Sequence, residues 1–276
     1  MLNTQRTSLG ENDFMEKTMN NLILALIQTD IVWENVDKNL NILSNKFSSI
    51  EQDVDLIILP EMFASGFTMQ GKEEISKRYS DILKWMQEQA CKNNTCIIGS
   101  TIYKTDDKFF NRLLIVNSES VEFYDKHHLF TMGEESNHFT AGNKICQFEI
   151  KGWKIRPLIC YDLRFPIWAR NNDGYDLLTY SANWPASRKY PWSTLLKARA
   201  IENQAYVAGV NCVGEDGNKL KYSGNSVIID YQGKEINKCQ DFEEGIIISE
   251  LSKIDLDKQR QAFPVLKDMD EFTFIK

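Results

Sequence analysis

The chain has 276 residues and a formal net charge of −7, an acidic balance that argues against nucleic acid as a main partner, since phosphate binding needs a basic face. Charged residues make up 26% and the aliphatic and aromatic set 42%, the composition of a soluble globular protein with a sizeable core. No apolar run approaches the roughly 20 residues needed to span a bilayer, so no membrane partner is expected.

Residues 1–20 are polar and aperiodic, without the basic start and apolar centre of a signal peptide, and read as a flexible extension. Leu-Ile-Leu-Ala-Leu-Ile, within Leu22 to Thr29, is a continuous apolar run fit for a strand buried on both faces. Val36, Leu40, Leu43, Phe47 and Ile50 then recur at helical spacing and mark one face of an amphipathic helix. Val54 to Leu59 reads as a second buried strand, stopped by Pro60. Tyr79, Ile82, Leu83, Met86 and Ala90 predict a second helix, and Cys96 to Ile102 a third strand. That alternation is the mark of an α/β protein with a mostly parallel sheet.

Phe109–Asn117 and Ser120–Asp125 read as a hairpin. Further strands are expected at Ile145–Ile150, Trp153–Ile159, Asp176–Ser181, Ala205–Cys212, Asn225–Asp230 and Glu244–Glu250, with a helix near Trp192–Asn203. No Pro-rich linker or low-complexity run divides the chain after residue 20. Residues 21–264 are therefore expected to form a single domain of two packed sheets with helices outside, and 265–276 a C-terminal arm.

Six cysteines, Cys91, Cys96, Cys146, Cys160, Cys212 and Cys239, are scattered with no Cys-x-x-Cys pair. With no secretory signal, that pattern fits free thiols in a reducing cytoplasm. His127, His128 and His138 show no metal-ligand spacing on an evident helix, so no metal is expected. Scarce histidine also turns attention to a carboxylate or a lysine as base.

Ligand sites in α/β sheets form at the carboxyl ends of strands, and three such ends carry a chemical group. Glu61 follows Leu-Ile-Ile-Leu-Pro, Lys126 ends Val-Glu-Phe-Tyr-Asp, and Cys160 follows the strand Trp153–Ile159. Phe165 to Ala169 reads as the first turns of a helix after Cys160, whose dipole and free N–H groups are expected to lower the thiol pKa. Taken alone, each residue has a bland reading: a solvated acid, a surface lysine, a small buried hydrophobe. Together they make chemical sense. Glu61 takes the thiol proton, Cys160 attacks a carbonyl, and Lys126 with the Tyr161 backbone N–H holds the oxyanion before water hydrolyses the thioester.

Leu-Pro-Glu-Met-Phe at 59–63, Tyr-Asp-Lys-His-His-Leu-Phe at 124–130 and Ile-Cys-Tyr-Asp-Leu-Arg-Phe-Pro at 159–166 resemble the nitrilase/amidase (carbon–nitrogen hydrolase) superfamily. The resemblance runs from about Asn21 to about Pro264. It implies a four-layer α-β-β-α sandwich of two mixed sheets, a homodimer, and a Glu-Lys-Cys triad of Glu61, Lys126 and Cys160 that needs no cofactor. It also implies a second glutamate after the lysine loop, where Glu134 and Glu135 are adjacent and the spacing back from Gly142 favours Glu135.

Glu-Met-Phe-Ala-Ser-Gly-Phe at 61–67, Cys-Tyr-Asp-Leu-Arg-Phe-Pro and Ala-Asn-Trp-Pro at 182–185 look most like the omega-amidases of that superfamily. Those enzymes hydrolyse the terminal amide of 2-oxoglutaramate or succinamate. Such a substrate carries a free carboxylate, and Arg164 is the cation placed to meet it. Arg188 is a weaker second cation, expected at the surface. Phe63, Phe67 and Trp184 are expected to wall a small apolar pocket. Rival readings are another amidase of the superfamily, acting on an N-carbamoyl compound, an aliphatic amide or a nitrile, and a non-catalytic member that binds a metabolite or partner.

Overall fold

Side chains alternate along β1 (Asn21–Gln28), and the alternation gives that strand two different neighbours. Leu22, Leu24 and Leu26 enter one apolar core, and Ala25 and Ile27 another. A computed structural model describes residues 21–273, so the extension expected at 1–20 lies outside the described residues. The first sheet continues from β1 through β2 (Leu56–Ile58) and β3 (Cys96–Thr105), both parallel to it. The hairpin partners β4 (Lys108–Val116) and β5 (Val121–Asp125) extend it antiparallel. The last strand in the chain, β14 (Gly245–Ser252), closes the other edge against β1.

The second sheet repeats this plan. The parallel strands β7 (Trp153–Ile159), β8 (Leu177–Ala182) and β9 (Tyr206–Asn211) form its centre. On one side lies β6 (Phe148–Ile150), and on the other β12 (Val227–Ile229) and β13 (Glu235–Lys238), all antiparallel to their neighbours. A short ribbon, β10 (Val213–Glu215) and β11 (Lys221–Ser223), stands apart from both sheets.

Leu24, Ile58, Ile98, Leu113 and Ile115 of the first sheet share a core with Ile155, Leu158 and Tyr180 of the second, so the sheets pack face to face. Outside the first sheet run α1 (Val36–Ser48), α2 (Lys72–Lys77) and α3 (Tyr79–Asn93). Leu43 and Phe47 of α1 and Ile82, Trp85 and Met86 of α3 fill the outer core with Ile57, Leu59 and Ile97. Each such side chain stabilises the layer by about 1.5–3 kcal/mol through burial. The Asn35 side chain starts α1 by accepting from the Lys38 N–H at 3.1 Å. After the four-residue α4 (Glu135–His138), α5 (Lys189–Asn203) covers the second sheet. It approaches β9 so closely that a Cβ on Gly209 would fall 2.7 Å from Leu196 Cδ1. Four layers, α-β-β-α, result.

One expected element is absent. Residues Cys160–Arg164 form a 3-10 helix, and turns rather than an α-helix follow over 166–169. Pro166 is the cause: its ring pushes Phe165 into extended backbone, φ −113°, ψ 93°. Conversely, α2, β13, the ribbon and α6 (Lys253–Ala262) were not expected from the sequence. Leu256 is the buried residue of α6, too sparse a stripe to signal a helix. Arg260 fixes α6 instead, donating to Asp176 Oδ1 at 2.8 Å and to the carbonyls of Tyr175 and Gln204. Among the described residues no helix is long and apolar enough to cross a membrane.

Candidate active site

Four strand ends meet at one rim of the sandwich. Glu61 lies three residues past β2, Lys126 directly past β5, Cys160 directly past β7 and Asn183 directly past β8. Glu61, Lys126 and Cys160 line one cavity of about 360 Å³, together with Phe67, Tyr161, Arg164 and Trp184.

A buried ionic cluster forms its floor. Lys126 Nζ donates to Glu61 Oε1 at 2.7 Å and to Glu135 Oε2 at 2.9 Å, and none of the three side chains reaches solvent. Burial disfavours the Lys126 charge, but the carboxylates of Glu135 and Glu61 outweigh it and hold the ammonium above its ordinary range. Burial pushes Glu135 upward, Lys126 pulls it back, and the Glu61 charge adds to the rise. Glu135 also accepts from the Phe130 N–H at 2.6 Å, which ties it to the loop that follows Lys126. Of the adjacent pair, Glu135 is buried and Glu134 is exposed in left-handed backbone.

Two asparagines that the sequence reading passed over orient Glu61. Asn111 Nδ2 bridges Glu61 Oε1 at 2.8 Å and Glu135 Oε1 at 3.2 Å. Asn183 gives its backbone N–H to Glu61 Oε2 at 2.9 Å and its Nδ2 to the Glu61 carbonyl at 2.7 Å. Its own Oδ1 accepts from the Cys212 thiol at 2.7 Å. A signal existed for the first: Asn111 shares the inward face of β4 with Leu113 and Ile115, where a polar residue needs a buried partner.

Cys160 sits where β7 turns sharply into the 3-10 helix, at φ +41°, a backbone conformation strained for any residue but glycine. The residue is 8% exposed and lines the cavity, with its sulfur 3.9 Å from the Asn183 carbonyl oxygen. Asp162 braces the turn, accepting from the Ile159 N–H at 3.1 Å, Tyr124 Oη at 2.8 Å and the His128 N–H at 2.9 Å. The expected lowering of the thiol pKa does not occur. Burial pushes Cys160 well up, and Glu61 raises it further through its charge and a side-chain hydrogen bond, while Lys126 only partly offsets this. Without an α-helix behind it, the cysteine also lacks the macrodipole that was expected to help. The resting sulfur is a thiol, so any attack needs a base at the same moment. Tyr161 N–H lies in the first turn of the 3-10 helix, where backbone donors have no intrahelical acceptor.

Arg164 projects into the cavity, its guanidinium carbon 4.9 Å from the Trp184 ring centre, and among the described residues it makes no ion pair. Phe67 lies under the ammonium, 5.2 Å from Lys126 Nζ. Phe63 is a correction: it lies outside the cavity, fully buried against Trp85 at 5.9 Å in the core between the first sheet and its helices. Its neighbour Met62 takes a left-handed turn, φ 44°, that sends the chain past Glu61 and back into the core.

The model of the family described as carbon–nitrogen hydrolase matches residues 23–261. Omega-amidase YafV of Escherichia coli (strain K12) is 45% identical over 255 residues, 92% of this chain and 99% of its own length. The 2-oxoglutaramate amidase of Bacillus subtilis (strain 168) is 31% identical, over 89% of this chain and 96% of its own. Among solved structures, a CN-hydrolase superfamily protein from Xanthomonas campestris, with an arsenic adduct in its active site, superposes with a TM-score of 0.89. It is 36% identical and aligned over 92% of this chain and 99% of its own.

Proposed function

We propose that this chain, which belongs to the carbon–nitrogen hydrolase family, is an omega-amidase that hydrolyses the terminal amide of a short dicarboxylic monoamide such as 2-oxoglutaramate or succinamate. The observation that carries the reading is Arg164, a guanidinium without an ion pair among the described residues, in the same cavity as Cys160 and the Glu61–Lys126–Glu135 cluster. Such a cation fits the free carboxylate of the substrate while the amide lies against the thiol. The names of the relatives from Escherichia coli and Bacillus subtilis support the same substrate class.

On this reading the cavity residues carry the chemistry. Glu61 takes the thiol proton as Sγ attacks the amide carbon, so no resting thiolate is needed. The oxyanion meets Lys126 Nζ and the Tyr161 N–H. Glu61 passes the proton to the departing nitrogen, the C–N bond breaks, and ammonia leaves a thioester on Cys160. Water, deprotonated by Glu61, attacks the thioester; the C–S bond breaks, the sulfur regains a proton and the dicarboxylic acid departs. Glu135 keeps Lys126 aimed throughout.

The same reading takes the protein as a cytoplasmic homodimer. Its described cysteines are free, and Tyr190 and Ile201 on α5 leave 80% and 53% of their surfaces exposed, a face suited to a partner. The test is ammonia release from both monoamides by wild type and Cys160→Ala, with Arg164→Met alongside. Turnover should vanish in the first variant, and in the second KM should rise for acidic amides and not for a neutral amide. Equal losses on acidic and neutral amides would remove Arg164 from the substrate site.

A further inference from the structure

Arg188 belongs to the same cavity. It is half-buried, its guanidinium carbon 5.2 Å from the Phe130 ring centre, and among the described residues it makes no ion pair. Trp184 connects it to Arg164: the indole N–H donates to the Arg188 carbonyl at 2.8 Å, while the ring carries the Arg164 guanidinium at 4.9 Å. The acid on the facing ribbon is already engaged. Asp216 Oδ1 accepts from the N–H groups of Asn218 and Leu220 at 2.8 and 2.9 Å, and Oδ2 from Tyr222 Oη at 2.9 Å. Two guanidinium groups therefore line one cavity, each over an aromatic ring and neither held in an ion pair among the described residues.

One guanidinium fork satisfies the two oxygens of a carboxylate. A simple monoamide such as succinamate offers those two and no acceptor on the carbon next to them. A 2-oxo acid presents a third oxygen beside them, in or near the same plane, and a single fork cannot cover all three. We propose that Arg188 is a specificity-determining residue: with Arg164 it forms a two-arginine cradle that binds the 2-oxo group together with its carboxylate and so favours 2-oxo acid monoamides over simple ones. This deepens the omega-amidase reading and rests on it. The aromatic faces fix both side chains in advance, so less rotamer freedom is lost when the anion arrives.

The test is steady-state turnover of 2-oxoglutaramate and succinamate by wild type, Arg188→Met and Arg188→Lys. In Arg188→Met, kcat/KM for 2-oxoglutaramate should fall about 10- to 100-fold, mostly through KM, while succinamate changes less than about 3-fold. Lysine should recover only part of the loss, because it restores charge without the planar fork. Equal losses on the two substrates, or none on either, overturn the assignment. A second measurement is independent of turnover: binding of 2-oxoglutarate and of succinate to Cys160→Ala, with and without Arg188→Met, by calorimetry. The preference for 2-oxoglutarate should disappear with the arginine. Silence of the wild type toward both amides would overturn the omega-amidase reading; the calorimetric preference would then decide the role of Arg188 alone, its loss in Arg188→Met supporting the cradle and its persistence refuting it.

Discussion

Replacing Lys126 by methionine keeps most of the side-chain volume and removes the ammonium that two buried carboxylates share. In the native cluster the ammonium lies 2.7 Å from Glu61 and 2.9 Å from Glu135, with all three side chains at 0% exposure. Without it, only Asn111 Nδ2 still bridges the two acids. Breaking a buried pair by removing one partner costs about 3–5 kcal/mol. At about 2–4 °C per kcal/mol for a large domain, the variant should melt roughly 6–20 °C below wild type near neutral pH. The deficit should depend on pH with a defined sign. The folded pKa of Glu135 is already raised, and loss of the Lys126 charge raises it further. A carboxyl whose folded pKa is raised binds its proton more tightly when folded, so its stabilising contribution is complete below the unfolded value, about 4.3, and is lost as pH climbs through the folded one. Lys126→Met should therefore come closest to wild type in mild acid and fall away toward pH 8. Calorimetric melting of both proteins from pH 5 to 8 measures this. A melting temperature within about 2 °C of wild type at every pH, or a constant offset, would refute the picture of one shared charge.

Three further outcomes are expected. Glu61→Gln should lower kcat for amide hydrolysis by about 10²-fold or more with little change in KM, because the raised thiol pKa leaves the proton to a base; a near-normal kcat would dismiss Glu61 from that role. Phe63→Ala should cost about 3–5 kcal/mol in denaturant melts and leave KM of the folded fraction unchanged, since the ring fills core; a raised KM would return Phe63 to the pocket. Asn111→Ala should lower kcat about 10-fold or more with little change in KM, as Glu61 and Glu135 each lose a donor; a loss confined to KM would argue against a positioning role.

Much of the layered fold was legible because burial writes itself into a strand as an apolar run. Leu-Ile-Leu-Ala-Leu-Ile signals a strand covered on both faces, and β1 is that strand. Elements held by few or specific contacts were not legible. Helix α6 buries one leucine and depends on Arg260 reaching Asp176, a partner distant in the chain. The run after Cys160 misled for a local reason: its apolar spacing suits a helix, but Pro166 forbids Phe165 the helical conformation.

For the site, the sequence by itself determined which chemical groups stand at strand ends: the carboxylate of Glu61, the ammonium of Lys126 and the thiol of Cys160. Tertiary structure decided how they interact. It set Glu135 rather than Glu134 on Lys126, recruited Asn111 and Asn183 to Glu61, moved Phe63 into the core and brought Arg188 beside Arg164. It also reversed the expected direction of the Cys160 pKa. The physical reason is that a residue type carries its chemistry with it. Desolvation and the charges a few ångströms away, which set how that chemistry behaves, exist only once distant segments have packed.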